Sequence, residues 1–173
     1  IGVGLVGSEM CIRDSVIGGS KISTKLELIA HLNSKADSII VGGGIANTIL
    51  KSQGFNVGES LVENDMIEIA NELYNSGKII LPNKVIVADS IDSNSSTIKN
   101  IDSVSGSDKI FDINLTSNMS EILKNSKTIL WNGPIGVFEK EPFKKGTLQL
   151  AKTIAGSEAF SLAGGGETIA AIN

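Results

Sequence analysis

The sequence predicts an α/β protein of three layers, a parallel β-sheet with helices on both faces. Three observations point there. Short runs rich in Val and Ile alternate with longer runs whose apolar residues recur at helical spacing. The strand runs are apolar throughout rather than alternating, as a sheet covered on both faces requires. Strand runs also end in glycine, at Gly18-Gly19, Gly42-Gly43-Gly44 and Gly164-Gly165-Gly166, which is the strand–turn–helix rhythm of parallel crossovers.

The elements follow in order. Val16-Ile17 forms a first strand, and Ile22, Leu26, Ile29 and Leu32 mark a helix starting near Ile22. Ser38 to Val41 is a continuous apolar strand, and the helix over Ile45 to Gln53 stops at Gly54. Ser60 and Glu63 have the spacing of a capping box ahead of the stripe Met66, Ile67, Ala70, Leu73 and Tyr74, which ends at Gly77. Lys78 to Leu81 and Val85 to Ala88 are two more strands. Asp89 to Ser107, rich in Ser, Asn and Asp, is a β-excursion or long loop. Met119, Ile122 and Leu123 mark a short helix, Thr128 to Trp131 a strand, and Leu148, Ala151, Ile154 and Ala155 one helical face. Ala159 to Ala163 is the last strand.

With 173 residues, 41% apolar and 20% charged, the chain suits one soluble domain with a real core. A net charge of −4 without a Lys/Arg cluster excludes a nucleic-acid binder. The longest apolar stretch, Ile39 to Leu50, is broken by glycines and polar residues and is too short to span a bilayer. The single cysteine, Cys11, permits no internal disulfide, and no Cys/His metal pattern occurs. A cytoplasmic monomer is expected. Residues 1–15, IGVGLVGSEMCIRDS, lack a basic start and are no signal peptide. The string VGSEMCIRDS resembles translated sequencing adapter, so 1–15 is expected to be a non-native leader, with the nucleotide domain over 16–173.

Ligands of open parallel sheets bind beyond the carboxyl ends of the strands. There the chain places Gly18-Gly19-Ser20-Lys21, with Lys25 four residues after Lys21. Two lysines at a helix start oppose the helix dipole, a conflict that an anion relieves; solvated surface lysines are the plain alternative. The glycine triplets let a flat ring or a phosphate approach the backbone, or merely serve sharp turns. Between them lies Trp131 to Glu139, a strand end followed by a Gly/Pro loop and a carboxylate. The residues themselves lead to a nucleotide or phosphate site of unspecified chemistry.

The same residues carry a resemblance. GGSKISTK, IIVGGGIANTILKSQG, LPNKVIVAD, WNGPIGVFEKEPFKKGT and AGGGETIAAI resemble, in order and spacing, the C-terminal nucleotide-binding domain of phosphoglycerate kinases. That implies a Rossmann-like sheet and reversible phosphoryl transfer, with magnesium, between 1,3-bisphosphoglycerate and ADP to give 3-phosphoglycerate and ATP. It further implies that Lys21 neutralises the migrating phosphoryl group and Lys25 holds nucleotide phosphates. Gly19, Ser20, Gly43, Gly44 and Leu61 would line the adenine slot. Pro134, Gly136 and Val137 would border the nucleoside, with Asn132 near the phosphates and Glu139 on the ribose. Gly164, Gly165 and Gly166 would present backbone N–H groups, Thr168 would bond a phosphate, and Glu167 would serve Mg²⁺.

The chain departs from the family in two places. Glu167 stands where Asp is usual, which lengthens the metal-binding arm. Phe111-Asp112-Ile113-Asn114-Leu115 replaces a Gly-Leu-Asp-X-Gly-Pro run, so one pocket wall loses its Gly and Pro. The resemblance also leaves the N-terminal, phosphoglycerate-binding domain and a last glycine-rich segment outside the chain, so 16–173 is expected to be truncated and inactive alone.

The contrasting function is an NAD-dependent dehydrogenase half-domain or generic nucleotide-binding module. Gly2, Gly4 and Gly7 spell its G-x-G-x-x-G, but only Ile1 precedes them and no helical stripe follows. His31 lies off its helical stripe and is expected in solvent. Trp131 is expected in the core, and Lys140, Lys144 and Lys145, interleaved with Glu139 and Glu141, on a mixed solvated surface.

Overall fold

The computed structural model describes residues 13–172. In chain order it contains β1 (Arg13–Ile17), α1 (Leu26–Lys35), β2 (Ser38–Val41), α2 (Gly43–Ser52), α3 (Ile67–Asn75), β3 (Ile79–Ile80), β4 (Lys84–Ala88), β5 (Thr97–Asn100), β6 (Lys109–Ile113), α4 (Ser117–Asn125), β7 (Thr128–Asn132), α5 (Lys145–Ala155), β8 (Phe160–Gly164) and α6 (Gly166–Ile172). Five strands form a sheet in the order β3-β2-β1-β7-β8, with every pairing parallel.

The apolar strand runs feed two cores, one on each face. Ile17, Ile39 and Val41 pack with Ile22, Ile29, Ile45, Ile49, Ala70 and Leu73, which places α1, α2 and α3 on one side. Val16, Ile40, Ile129 and Trp131 pack with Met119, Leu123, Leu150 and Ile154, which places α4 and α5 on the other. Adjacent residues in a strand face opposite ways, so neighbours such as Val16 and Ile17 must both be apolar. The expected three-layer architecture is what forms.

The excursion is a second, antiparallel sheet in the order β5-β4-β6. Val85, Val87, Ile101, Val104 and Ile110 seat it on Leu50 of α2 and Val57. β4, read as one more strand of the series, thus belongs to a different sheet. Its apolar run resembles the others because it too is buried.

Other boundaries differ from the sequence reading, each for a tertiary reason. β1 begins at Arg13, so a leader boundary at Val16 falls inside an element: Asp14 and Ser15 are buried and pair in register with β2 and β7. Burial raises the Asp14 pKa against the hydrogen bonds of Ser126 and Ser38. Gly2, Gly4, Gly7 and Cys11 lie outside the described residues. α1 starts at Leu26, with Lys25 as its N-cap, so Lys21 sits in the preceding turn and not on the helix. The capping box does not form. Ser60 instead accepts a hydrogen bond from the Ile110 N–H (2.8 Å), and Glu63 accepts from Ser23, so long-range partners have taken both side chains.

On α5 the buried residues are Gly146, Thr147, Leu150 and Ile154, whereas Leu148 is 40% exposed, one position off the expected face. β8 is an edge strand whose Phe160 and Leu162 are exposed, so the rule that every strand is covered on both faces stops there. Among the described residues no helix is long and apolar enough to cross a membrane.

Candidate nucleotide site

The strand order makes β1 a switch point. The chain leaves it towards β2 on one side and returns to β7 on the other, and the loops after β1 and β7 diverge at the carboxyl edge, where such folds bind ligands. Backbone bonds lock these loops together. Gly18 N–H donates to Asn132 O (2.9 Å), Gly43 N–H to Ile135 O (2.9 Å) and Ile45 N–H to Gly19 O (3.2 Å). Gly43, at φ +65°, and Gly133, at φ +91°, turn the chain through a region that L side chains rarely adopt.

A cavity of about 530 Å³ opens at this edge. One wall is Gly19, Ser20, Gly43 and Gly44. Pro134, Gly136, Val137 and Glu139 form the second. The third comes from Leu61 and the antiparallel sheet, with Ile110 and Phe111, while Glu167 stands on the rim. Ten residues expected at a nucleotide site therefore share one cavity.

Lys25, Asn132, Gly164 and Thr168 form a polar chain apart from that lining. The Lys25 ammonium donates to Asn132 Oδ1. Asn132 Nδ2 donates to Gly164 O (3.2 Å), and Gly133 N–H donates to Thr168 Oγ1 (2.7 Å). That last bond leaves the Thr168 hydroxyl hydrogen available for another acceptor. Gly165 and Gly166 continue this turn into α6. Lys21 is exposed and belongs neither to the cavity lining nor to the Lys25–Asn132 pair, so the two lysines are not equivalent. His31 is exposed, and Trp131 is buried with its indole N–H on Gly133 O (2.8 Å).

Three residues that the sequence reading missed hold the site in shape. Glu63 Oε2 accepts from Ser23 N–H (3.0 Å), and its other oxygen accepts from the Ser23 hydroxyl (2.5 Å), so a residue distant in sequence pins the Lys21 turn. Burial works to raise the Glu63 pKa, but the hydrogen bonds from Ser23 and Ile22 and the Lys21 charge outweigh it and hold the carboxyl below its usual value. Asp112 accepts from Ile113 N–H (2.9 Å) and Gly146 N–H (2.7 Å), joining β6 to the start of α5 behind Gly136. Burial pushes its pKa up to about 7 in spite of those two bonds. Asn47, on α2, borders the cavity. A polar residue within an otherwise apolar helical run was the available signal for Asn47; Glu63 and Asp112 gave none, because their partners lie far away in sequence.

The replaced Gly-Leu-Asp-X-Gly-Pro run still builds its wall. Phe111 lines the cavity, and its carbonyl accepts from Val137 N–H (2.8 Å). Among the described residues no group of three or more His, Cys, Asp or Glu could hold a metal ion.

The family model described as phosphoglycerate kinase matches residues 13–173. The phosphoglycerate kinase of Baumannia cicadellinicola subsp. Homalodisca coagulata is 50% identical over 161 residues, 92% of this chain and 41% of that protein. That of Coxiella burnetii is 45% identical over 167 residues, 92% of this chain and 43% of that protein. The solved Coxiella burnetii phosphoglycerate kinase superposes with a TM-score of 0.87 at 45% identity, covering 92% of this chain and 44% of that one. The Pyrococcus horikoshii OT3 enzyme superposes at 0.78 and 29% identity, covering 92% and 43%. The chain thus spans less than half the length of the relatives it matches. With the family model spanning all but the first twelve residues, the chain belongs to the phosphoglycerate kinase family.

Proposed function

We propose that this chain carries the Mg-ADP/ATP site of a phosphoglycerate kinase, which transfers a phosphoryl group reversibly between 1,3-bisphosphoglycerate and ADP. The carrying observation is the cavity at the switch point, glycine-walled on one side and apolar on the other, next to the Lys25–Asn132–Gly164 chain. A purine fits between bare backbone and the Leu61, Phe111 and Val137 side chains. The ribose then reaches Glu139, and the phosphates run towards Lys25, Thr168 and the N–H groups of Gly164, Gly165 and Gly166. Incoming phosphate oxygens compete with Asn132 for the Lys25 ammonium, a charge-assisted exchange.

Phosphoryl transfer mainly needs positioning and neutralisation of oxygens. Lys25 holds the chain of phosphates, while Lys21, free of the cavity wall, neutralises the group in flight. Mg²⁺ draws most of its ligands from water and phosphate and needs only one or two carboxylates. Glu167 on the rim fits that need. Bound there, the ion would offset charge on the phosphate oxygens. The acceptor side needs groups for an acidic three-carbon phosphate, and the chain's single arginine, Arg13, lies in β1. We therefore assign the chain no turnover by itself and place it in a cytoplasmic, monomeric enzyme without nucleic-acid or membrane partners.

Thermal melting with Mg-ADP and with NAD is the test. Stabilisation by Mg-ADP alone is expected. Stabilisation by NAD alone would refute the proposal in favour of a dehydrogenase module.

A further inference from the structure

Lys109 opens β6 and lines the cavity together with Glu59, Leu61 and Ile91. Leu61 and Ile91 are large apolar side chains left 55% and 43% exposed. Both stand outside the regular elements, Leu61 between α2 and α3 and Ile91 between β4 and β5. Two such side chains at one cavity offer a clamp for a flat ring, which covers apolar surface that water otherwise meets. A clamp carried on two irregular segments grips well only if their spacing is set before the ring arrives.

One cation sets it. The Lys109 ammonium donates to the Asp89 carbonyl (3.0 Å), on the segment that carries Ile91. It also lies 3.3 Å from Glu59 Oε2, on the segment that carries Leu61. The Glu59 N–H donates to Asp108 O (2.8 Å), which holds Glu59 against the start of β6. Lys140 on Asp92 (3.0 Å) and the Ser96 hydroxyl on Pro142 O (2.8 Å) tie the Ile91 segment to the chain just past Glu139. Lys109 therefore completes a strap from the Glu139 side of the cavity, through Ile91, to Leu61. A partly exposed ion pair adds little to the stability of a fold, so the loss of this one should be felt in the clamp.

We propose that Lys109 is a positioning residue for the base: by joining the Asp89 carbonyl to Glu59 it fixes the gap between Ile91 and Leu61. The inference rests on the nucleotide placement proposed above. Lys109 acts through the two apolar side chains and not through its charge on the ligand. Its effect therefore follows the ring and is indifferent to the phosphates.

The test is calorimetry with adenosine, Mg-ADP and magnesium pyrophosphate on the unmodified chain, on Lys109→Met, which keeps the length and loses the donors, and on Lys109→Arg, which keeps them. Lys109→Met is expected to weaken adenosine and ADP by one common factor, about threefold or more, and to leave pyrophosphate within about twofold. Lys109→Arg should restore both ring-bearing ligands. In an Ile91→Ala background, Lys109→Met should cost clearly less than it does alone, because the side chain it positions is gone. A loss that spares neutral adenosine and falls on ADP and pyrophosphate would make the lysine a direct charge contact and overturn the proposal. Unchanged affinity for all three ligands overturns it too, as does an undiminished cost in the Ile91→Ala background. A fall of many degrees in the melting temperature of Lys109→Met would assign the lysine to the fold and overturn the proposal as well. If the unmodified chain binds neither adenosine nor ADP, the nucleotide site itself is refuted, whereas ADP binding that ignores Lys109→Met refutes this inference alone.

Discussion

Replacing Asp112 by Asn should remove a pH dependence of stability that the wild-type chain carries. Asp112 is 1% exposed, and burial raises its pKa from 3.8 to about 7. A raised carboxyl pKa means that the folded chain holds this proton more tightly than the unfolded one. The contribution is therefore complete below the unfolded value of 3.8 and is lost as pH rises through the folded value of about 7. Between pH 5.5 and pH 8 the loss amounts to about 2 kcal/mol. Asn cannot ionise, but its amide nitrogen must face the Ile113 or the Gly146 N–H, donor against donor, at a cost of roughly 1–3 kcal/mol. The variant should thus be the less stable protein at pH 5.5, with the difference narrowing or reversing by pH 8. Urea unfolding of both proteins at pH 5.5 and 8 measures it. Wild-type and variant stabilities that change in parallel with pH would refute the reasoning.

Further outcomes are expected at the site and at the first strand. Lys25→Ala should weaken ADP and ATP by about ten- to a hundredfold while sparing adenosine, and Glu139→Ala should weaken all three by similar factors; calorimetry with the three ligands separates the cases. Deleting residues 1–15 should lower the melting temperature by many degrees, because it removes strand pairs of the central β1 and the Asp14–Ser126 bond (2.5 Å), as thermal melting by circular dichroism would record.

The alternation of apolar strands and helical stripes was legible because burial on both faces imposes it directly on the residue string. The glycine runs and the motif around Trp131 to Glu139 marked the glycine and Pro134–Glu139 walls of the cavity as well. The start of β1 was not legible, because Arg13, Asp14 and Ser15 are polar, and neighbours such as Ser38, Ser126 and Asp37 make a polar strand start tolerable there. The capping box at Ser60 and Glu63 misled for the same reason. Spacing records what a side chain could do locally, whereas Ile110 and Ser23 arrive from elsewhere in the fold. Asn47 stood in plain view, but its unpaired oxygen appears only once Leu61 has taken the nitrogen.

The glycine wall has a consequence for how such a site can change. A methyl group on Gly18 would sit 1.9 Å from Pro134 O, on Gly44 2.1 Å from Ser20 O, and on Gly133 2.1 Å from Gly18 O. Each obstacle is main chain, which cannot swing aside as a side chain can. Three loops thus meet with less clearance than one carbon atom needs, and the backbone that carries that half of the pocket admits no variation at those positions. The opposite half is made of side chains, Leu61, Ile91, Ile110 and Phe111, carried on a separate small sheet and the loops beside it. Exchanging them leaves the five-stranded scaffold untouched. New ligand preferences can be explored from that side alone, against a fixed backbone mould on the other.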